Sequence, residues 1–277
     1  QAEDGIRDLV RSRGLGDVYK RQVHIVQWLE NYLEESNQKG FVVGVSGGID
    51  SAVTSTLCAK TNKPLLCLEM PIQQDEFQVS RAKKHIEWLC KNYSNVEGKT
   101  VSLNEVFESF QNQLPISEKK DQHLLSLANT RARFRMGTLY YFAALENYLV
   151  AGTGNKVEDF GVGFYTKYGD GGVDISPIAD LMKSEVYTLA KSLDIIKPIQ
   201  EAAPTDGLWS DQRTDEDQLG ATYAELEWAM NAIEKNIDPI KFNTKEKKVM
   251  AVYENHHNKS KHKMLPIPVC EIPEKFR

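Results

Sequence analysis

The short stretch SGGIDS carries the side chains with the clearest chemistry in the sequence. Ser46, Gly47 and Gly48 are followed closely by Asp50 and Ser51. Adjacent glycines lack the Cβ atoms that keep a ligand away from the backbone, and they allow the positive φ of a tight turn. A carboxylate beside bound phosphates needs a bridging cation such as Mg²⁺. The stretch therefore predicts a polyphosphate site, although Asp50 and Ser51 could instead simply cap a helix.

The elements on either side of this stretch determine whether it can bind an anion. Residues 41–45 form an apolar, β-branched run that is typical of a strand buried on both faces. Residues 51–60 are predicted to form a helix, whose first turn leaves about four N–H groups unpaired at the positive end of its dipole. Such a turn at a helix N-terminus is an anion site. Its spacing matches neither GxxxxGK[ST] nor GxGxxG, so it is neither of the two common nucleotide loops.

Strand and helix patterns alternate along the rest of the chain. Apolar runs predict strands at 64–70, around 100–103 and at 149–153, with helices between them. This alternation predicts an α/β fold, a doubly wound and mostly parallel sheet with helices on both faces and ligands at the carboxyl ends of the strands. Two long loops with aromatic residues are predicted at 154–172 and 201–217, and the first is interpreted as a mobile cover that packs on a ligand.

Two helical regions bear on the site. Region 117–149 has more large apolar side chains than one sheet face needs, so part of it is expected to bury against a second subunit. It also contains Arg133, which would be a surface residue by default. Lys183 lies in the first turn of a later helix, where the helix dipole disfavours a cation. A nearby anion is therefore expected beside Lys183.

The composition is that of an ordinary soluble enzyme. The chain has 277 residues, 26% of them charged, and a net charge of -5. No basic excess suggests nucleic acid, no apolar run of about eighteen residues suggests a membrane span, and no signal peptide is evident. Cys58, Cys67 and Cys90 lie in apolar runs, so we expect buried thiols in a reducing compartment, the cytoplasm.

A single domain is expected over residues 23–277. Residues 1–22 are polar and show no sustained helical stripe, so they are predicted to be a disordered arm or a non-native remnant. The first amphipathic helix is expected to begin at Val23. The last helix is expected over 244–258, and an extended tail is expected from His262.

The motifs resemble those of a known family. SGGIDS resembles the pyrophosphate loop of ATP pyrophosphatases, and FYTKYGDGG at 164–172, ARFRM at 132–136, APTDGLW at 203–209 and HK at 262–263 narrow the resemblance to ammonia-dependent NAD synthetases. The resemblance covers essentially all of residues 23–277. It implies an adenine nucleotide alpha hydrolase-like fold and two steps: the nicotinate carboxylate of deamido-NAD attacks the α-phosphate of ATP, and ammonia then displaces AMP.

The resemblance also implies roles for individual residues. The ATP site would comprise Gly44, Val45, Ser46, Gly47, Gly48, Ile49, Asp50, Ser51, Thr153, Lys183 and Thr205. Mg²⁺ would be held by Asp50 and Glu158. Deamido-NAD would be bound, across the interface of a homodimer, by Arg133, Lys167, Asp174, His262 and Lys263. In catalysis Lys183 would neutralise charge on the transferred phosphate, and Asp170 would receive ammonium.

Plainer interpretations stay open for several of these residues. Glu158 and Asp174 could be solvated loop charges, His262 an exposed histidine, and Thr153 the partner of its own turn. The loop from Thr153 to residue 163 is also one residue longer than in the relatives. For the whole chain, the alternatives are another ATP pyrophosphatase, such as a GMP synthetase amination subunit or a tRNA-thiolating enzyme, or a non-catalytic ATP-binding module. A thiolating enzyme would need paired cysteines or a basic surface, and the sequence has neither.

The expected nitrogen source is ammonia. Glutamine-dependent members of the family carry an N-terminal amidase domain with a cysteine nucleophile. Only residues 1–22 precede the first expected helix here, and none of them is cysteine. Free ammonia, or ammonia delivered by a separate partner, is therefore expected.

Overall fold

A parallel sheet of four strands forms the centre of the protein in a computed structural model, which describes residues 15–74, 76–115, 117–205 and 214–277. The strands are β1 (Gly40–Gly44), β2 (Leu65–Glu69), β3 (Val96–Thr100) and β4 (Tyr148–Val150). Their spatial order is β3-β2-β1-β4. Because β1 pairs with both β2 and β4, the glycine turn that follows it opens at the interior of the sheet rather than at an outer strand.

The helices lie before, between and after these strands. In chain order they are α1 (Leu15–Glu35), α2 (Ile49–Ala59), α3 (Glu76–Asn92), α4 (Asn104–Asn112) and α5 (Lys120–Glu146). After β4 come α6 (Lys183–Ser192), α7 (Lys197–Gln200), α8 (Asp215–Leu219), α9 (Tyr223–Glu234) and α10 (Thr244–Met264). One π-helical segment, Val157–Val162, lies between β4 and α6.

Alternate side chains of β1 point to opposite faces of the sheet, and each face has its own core. Val43 packs with residues of α1, α2, α3 and α6, among them Val53. Val42 packs on the other face with Phe107 of α4 and Leu127 of α5. Helices therefore cover both faces of a parallel sheet, which confirms the predicted fold class.

A third core holds the elements that follow β4 against the last two long helices. Val157 and Val162 of the π-helical segment pack with Leu226 of α9 and Tyr253 of α10. This segment is thus fixed by apolar contacts, although it falls within the loop expected at 154–172. No helix among the described residues is long and apolar enough to cross a membrane.

The first helix begins earlier than the sequence pattern predicts. It starts at Leu15 rather than Val23, and Val18 is only 3% exposed in the core beside α2 and α6. Arg21 Nη2 also lies 3.5 Å from Glu185 Oε1 of α6. A single buried valine among polar residues leaves no visible stripe, which explains the difference. Residues 1–14 lie outside the described residues, so the prediction that the arm is not native remains a prediction for them.

Two other boundaries were predicted wrongly. Strand β3 occupies Val96–Thr100 instead of 100–103. It lies at an outer position of the sheet and pairs through its backbone, so its sequence VEGKT needs no apolar run. Helix α10 continues to Met264 instead of ending near residue 258. Contacts of its polar last turns with the 161–165 segment hold this extension, and apolar periodicity does not reveal such contacts.

The cysteines match the expectation only in part. Cys58 and Cys67 are buried in the core, as predicted. Cys90 is exposed, because it lies on the solvent side of α3, one residue beyond the buried Leu89. An apolar run in the sequence does not distinguish the two faces of a helix that packs on a sheet.

Candidate active site

The glycine turn after β1 presents unpaired backbone amides at the N-terminus of α2. Gly47 has a φ of +83°, which favours glycine, and the amide of Gly48 donates to Ser46 Oγ at 3.3 Å. The amides of Ile49, Asp50 and Ser51 have no acceptor among the residues that the structure describes. These three N–H groups lie at the positive end of the helix dipole, the geometry that an anion site requires.

The hydroxyl of Ser51 braces the turn from inside. Ser51 is 2% exposed, accepts from the amide of Ser46 at 3.2 Å and donates to the carbonyl of Gly48 at 3.0 Å. The two serine hydroxyls are also 3.2 Å apart. Ser51 therefore offers a ligand its backbone amide, while its side chain keeps the turn in shape.

The two glycines have different roles in the turn. A Cβ atom on Gly47 would lie 2.6 Å from the carbonyl oxygen of Gln78, so this position is glycine because α3 packs against it. A Cβ on Gly48 would meet only Ser46 Oγ, at 3.4 Å. Gly47 has the predicted positive φ, but the space left by its missing side chain is filled by α3 rather than left open to a ligand. Arg81 Nε of α3 donates to the Gly47 carbonyl at 3.3 Å and holds the two elements together.

Three charged side chains that are distant in sequence meet beside the turn. Lys183 Nζ lies 2.6 Å from Asp50 Oδ2 and 2.8 Å from Glu158 Oε1, and the Lys183 side chain is only 4% exposed. The expectation of an anion beside Lys183 is thus confirmed, since both carboxylates serve as its partners. Glu158 is not a solvated loop charge, because the π-helical segment turns it into this cluster.

The two carboxylates differ in how well they are stabilised. Burial raises the pKa of Asp50 although Lys183 opposes it, and the nearby charge of Glu158 adds to the rise. Burial also acts on Glu158, but Lys183 and hydrogen bonds from Tyr223 and Asn155 outweigh it and lower the pKa of Glu158. Lys183 lies between them, and the two acids raise its pKa despite its burial. The cluster therefore holds one ammonium group between two carboxyl groups, and Glu158 is the carboxyl group whose ionised form is better stabilised.

Sequence reasoning missed Asn155, which connects the two carboxylates. Its side chain is fully buried, and its Nδ2 donates to Asp50 Oδ1 at 3.0 Å. Its Oδ1 accepts from the amides of Val157 and Glu158, both at 3.1 Å. Its position between the Gly-Thr turn and Glu158 is the only signal that the sequence offers. One asparagine thus starts the π-helical segment and orients Asp50.

Tyr223 and Asp159 also border this cluster without any sequence signal. The Tyr223 hydroxyl donates to Glu158 Oε1 at 2.6 Å, and its ring lies 4.8 Å from Lys183 Nζ. Burial, Glu158 and Asp170 raise the pKa of Asp159 to about 8. Both residues place polar groups at the same edge of the sheet as the glycine turn.

A second group of charged residues lies on α5, the 164–172 loop and α10. Arg133 Nη2 donates to the carbonyl of Lys167 at 3.4 Å, and Lys167 Nζ donates to the carbonyl of His262 at 3.0 Å. Lys263 Nζ donates to the carbonyls of Gly163 and Tyr165, the latter at 2.8 Å. The structure therefore brings together four of the five residues expected to bind deamido-NAD.

The 164–172 loop packs closely on α5. A Cβ on Gly169 would lie 2.8 Å from Ala132 Cβ, and one on Gly172 would lie 2.9 Å from Met136 Cγ. Thr166 Oγ1 also donates to Asn129 Oδ1 at 2.6 Å. The glycines of this loop allow its backbone to lie against the helix, next to Arg133.

The remaining site residues have internal partners or lie at the edge of the described residues. Asp174 accepts from Tyr140 Oη at 2.9 Å and from the amide of Val150 at 2.8 Å, so it fastens α5 to β4. Asp170 Oδ1 accepts from the amide of Thr166 at 2.9 Å within its own turn. Thr153 follows β4, and Thr205 directly precedes residues 206–213, which lie outside the described residues together with most of APTDGLW.

Comparison with known proteins gives a consistent result. A family model described as NAD synthase matches residues 21–266. The chain is 40% identical over 204 residues to the NH(3)-dependent NAD(+) synthetase of Carboxydothermus hydrogenoformans, covering 73% of this chain and 81% of that protein.

Solved structures agree with the sequence match. The structure is similar to that of NMN synthetase from Francisella tularensis, with a TM-score of 0.77 and 33% identity over 93% of this chain and 98% of that one. It is also similar to the NH3-dependent NAD synthetase of Campylobacter jejuni, with a TM-score of 0.73 and 28% identity over 92% and 99%.

Proposed function

The chain belongs to the NAD synthase family, and from that premise we propose that it amidates the carboxylate of deamido-NAD with ammonia while cleaving ATP to AMP and pyrophosphate. It is a ligase that forms a carbon–nitrogen bond. A carboxylate is a poor electrophile, so its oxygen first attacks the α-phosphorus of ATP and pyrophosphate leaves. Ammonia then attacks the acyl carbon, the bond from that carbon to the AMP oxygen breaks and AMP leaves, and the nitrogen releases one proton to give the amide.

The observation that carries this proposal is the arrangement of unpaired amides beside paired charges. Ile49, Asp50 and Ser51 present N–H groups to an anion, and Lys183 Nζ is held 2.6 Å from Asp50 Oδ2. Amides of this kind stabilise phosphate oxygens before and during transfer, because they need no reorganisation. Lys183 would supply the positive charge for the transferred phosphate. The ATP site would also include Thr153 and Thr205, at the same edge of the sheet.

The donor set next to the turn fits Mg²⁺. This ion usually takes one or two protein carboxylates and fills its other positions with water and substrate phosphates. Asp50 and Glu158 approach one another closely enough to share Lys183 Nζ. Asp50 and Glu158 would therefore hold Mg²⁺, which when bound screens the charge of the triphosphate.

The basic group on α5, the 164–172 loop and α10 supports an anionic acceptor. Arg133, Lys167 and Lys263 bring positive charge to one place, and their contacts described above are with backbone carbonyls rather than carboxylates. They would bind the phosphates of deamido-NAD with His262. Asp174 would contribute through its position at the end of β4, since both its carboxylate oxygens already accept internal hydrogen bonds.

Asp170 would receive the ammonium ion. It is near the π-helical segment, where its charge acts on Asp159. A carboxylate attracts ammonium and accepts a proton as ammonia forms. Asp170→Asn should therefore lower amide formation at limiting ammonium far more than ATP binding. Unchanged turnover under these conditions would remove the role.

A homodimer fits the apolar surface of α5. Leu124, Leu125, Tyr141 and Leu145 are between 50% and 64% exposed in the single chain. Apolar side chains of this size are commonly buried in a partner surface. Light scattering of the purified protein would measure the assembly.

All four cysteines are unpaired, which supports a reducing, cytoplasmic setting.

A second candidate acceptor is the mononucleotide. The similarity to an NMN synthetase has a TM-score of 0.77, compared with 0.73 for the Campylobacter NAD synthetase. Amidation of nicotinate mononucleotide would follow the same two steps, because the reacting carboxylate is the same. The two acceptors differ only in the adenylate portion, distant from the chemistry.

AMP formation with different acceptors tests the proposal. Purified protein with ATP, Mg²⁺ and ammonium is incubated with deamido-NAD, nicotinate mononucleotide, xanthosine monophosphate or no acceptor. We expect AMP with deamido-NAD, at a rate that Asp50→Asn lowers about 100-fold and the exposed control Asp17→Asn leaves unchanged. Greater activity with the mononucleotide would select the second candidate, and AMP only with xanthosine monophosphate would contradict both.

A further inference from the structure

Tyr223 connects the cluster of Asp50, Glu158 and Lys183 with the chain segment that follows Thr205. Its hydroxyl donates to Glu158 Oε1 at 2.6 Å and lies 3.3 Å from Asp215 Oδ2. Its ring lies 4.8 Å from Lys183 Nζ. Tyr223 is 7% exposed and is the first residue of α9. The Tyr223 side chain thus contacts both Glu158 and Lys183.

The hydroxyl determines which way the Glu158 carboxylate turns. Lys183 Nζ and Tyr223 Oη approach the same oxygen, Oε1, at 2.8 Å and 2.6 Å. Two donors on one oxygen fix the plane of the carboxylate, as outer partners of metal-ligating groups do. The ring supplies a second stabilisation, because the face of an aromatic ring attracts an ammonium group in a desolvated site. Loss of the hydroxyl alone would free the carboxylate without changing the packing volume much.

Tyr223 is also tied to the chain on the far side of the site. Its amide donates to Glu216 Oε1 at 2.8 Å, and Thr222 and Glu225 form a capping box at the start of α9. The amide of Asp215 donates to the carbonyl of Pro204 at 3.1 Å. The orientation of the phenol is therefore set by helix capping and by contacts with α8, both independent of Glu158.

We infer that Tyr223 is a positioning residue for the amidation reaction, which orients Glu158 toward the metal and holds Lys183 between the two carboxylates. The inference rests on the proposed function, because it takes Glu158 as a ligand of Mg²⁺. It assigns to Tyr223 no contact with substrate. Tyr223 would act on the affinity of the site for Mg²⁺. A residue that only stabilised the fold would not change that affinity selectively.

Calorimetric binding of an ATP analogue with a methylene bridge between the α and β phosphates tests this inference. The analogue is titrated into wild type, Tyr223→Phe, Glu158→Gln and the double variant over a range of Mg²⁺ concentrations. We expect Tyr223→Phe to raise the Mg²⁺ concentration for half-maximal analogue binding about 10-fold, in the range typical of such outer partners. Binding at saturating Mg²⁺ should change less than twofold.

Tyr253→Phe is the matched control, because Tyr253 is 6% exposed and belongs to the same core as Tyr223. It should leave the Mg²⁺ requirement unchanged. In the Glu158→Gln background, removal of the Tyr223 hydroxyl should have no further effect, since the two residues act as one unit. Thermal unfolding of each variant establishes that it is folded.

The outcomes separate this inference from the proposed function. If Glu158→Gln leaves the Mg²⁺ requirement unchanged, the metal role of Glu158 is wrong and the inference is lost with it. If Glu158→Gln raises the requirement but Tyr223→Phe matches Tyr253→Phe, the proposed function stands and the positioning role is wrong. The positioning role would also be overturned if Tyr223→Phe raised the Mg²⁺ requirement equally in the wild-type and the Glu158→Gln protein. If Tyr223→Phe is unfolded, Asp215→Asn, which changes the other group near the phenol oxygen, replaces it in the same cycle.

Discussion

Two groups of charged side chains in the candidate site are held in opposite ways. Near the glycine turn, the cation Lys183 lies between Asp50 and Glu158, so two acids face one base. On the other side, Arg133 and Lys167 contact backbone carbonyls. The first group has an excess of negative charge and the second an excess of positive charge. The first is therefore suited to a metal ion and the second to an anionic acceptor.

Removal of Lys183 should have the largest effect of all, because it takes the cation from the first group. In Lys183→Met, Asp50 and Glu158 would lose the cation between them, which costs on the order of 3 kcal/mol when a buried pair is broken. The rate of AMP formation should fall about 1000-fold, because the charge for the transferred phosphate is lost. Steady-state kinetics should show the loss in kcat, with the KM for deamido-NAD nearly unchanged.

Lys191→Met is the control for this variant, since Lys191 is exposed in the last turn of the same helix. It should retain the wild-type rate and stability. A folded Lys183→Met protein with a kcat within tenfold of wild type would show that the paired cation has no part in phosphate transfer. The contrast between the two groups would then be structural only.

The residues that the sequence predicted well are those whose partners are near in the chain. The glycine turn joins Ser46 to Ser51 through hydrogen bonds across five positions, so composition and spacing reveal it. Lys183 lies 133 positions from Asp50, and only the family resemblance suggested that they share a site. Tyr223 lies 65 positions from Glu158 and belongs to none of the motifs, so neither route found it.

Secondary structure was predictable where burial of an element leaves an apolar pattern in its sequence. The run at 41–45 indicated β1 because both of its faces pack. The same criterion failed for β3. There Gly98 must be small, because a Cβ atom at this position would lie 2.3 Å from Ile86 Cγ2 of α3. Tertiary contacts of this kind leave no periodic signal. They also explain why the sequence did not reveal that α3 packs against Gly47.

Acidification should destabilise the packing of α2 against α3, the two helices that support the first group. His85 of α3 is fully buried, shares a 3.1 Å hydrogen bond with Ser55 Oγ of α2 and stacks on Trp88. Burial lowers its pKa from 6.5 to about 4, so the unfolded chain binds more protons between these values. The contribution of His85 to stability is therefore lost as pH falls from about 6.5 to 4, by about 2 kcal/mol at pH 5.

Chemical denaturation at pH 7 and pH 5 measures this loss. His85→Gln should make the change in unfolding free energy from pH 7 to pH 5 about 2 kcal/mol less destabilising than in the wild type, whatever its cost at pH 7. Asp159, whose raised pKa acts in the opposite direction, is present in both proteins. His24→Gln, at an exposed position of α1, should keep the wild-type difference. A difference in His85→Gln equal to that of the wild type would show that His85 does not contribute to the acid sensitivity.

Changes in the second group should alter binding rather than rate. In Lys167→Ala the ammonium group near His262 O and the Tyr168 ring is lost, so one contact to an acceptor phosphate disappears. The KM for deamido-NAD should rise about 10-fold, and kcat should stay within twofold, because a partly exposed ion contact contributes on the order of 1 kcal/mol.

The neighbouring Lys261 tests whether general positive charge is enough. It is exposed on α10, and Lys261→Ala should leave the KM unchanged. Equal effects of both substitutions would mean that the second group attracts the acceptor at a distance, without direct contact. A decrease in kcat for Lys167→Ala would place this lysine with the first group instead.

The smallest effect is expected at the start of α1, which supports the first group from behind. Val18 is 3% exposed, and Arg21 on the next turn contacts Glu185 of α6, whose carboxylate accepts from the Met182 amide directly before Lys183. Val18→Ala should cost about 1 kcal/mol of unfolding free energy, since lost methyl burial exceeds the gain in helix propensity. Tyr19→Ala, at a 65% exposed position, is the control. Because the helix supports α6 without touching the site, KM and kcat should stay at their wild-type values; a changed kcat in a fully folded Val18→Ala protein would mean that the first group is not rigid.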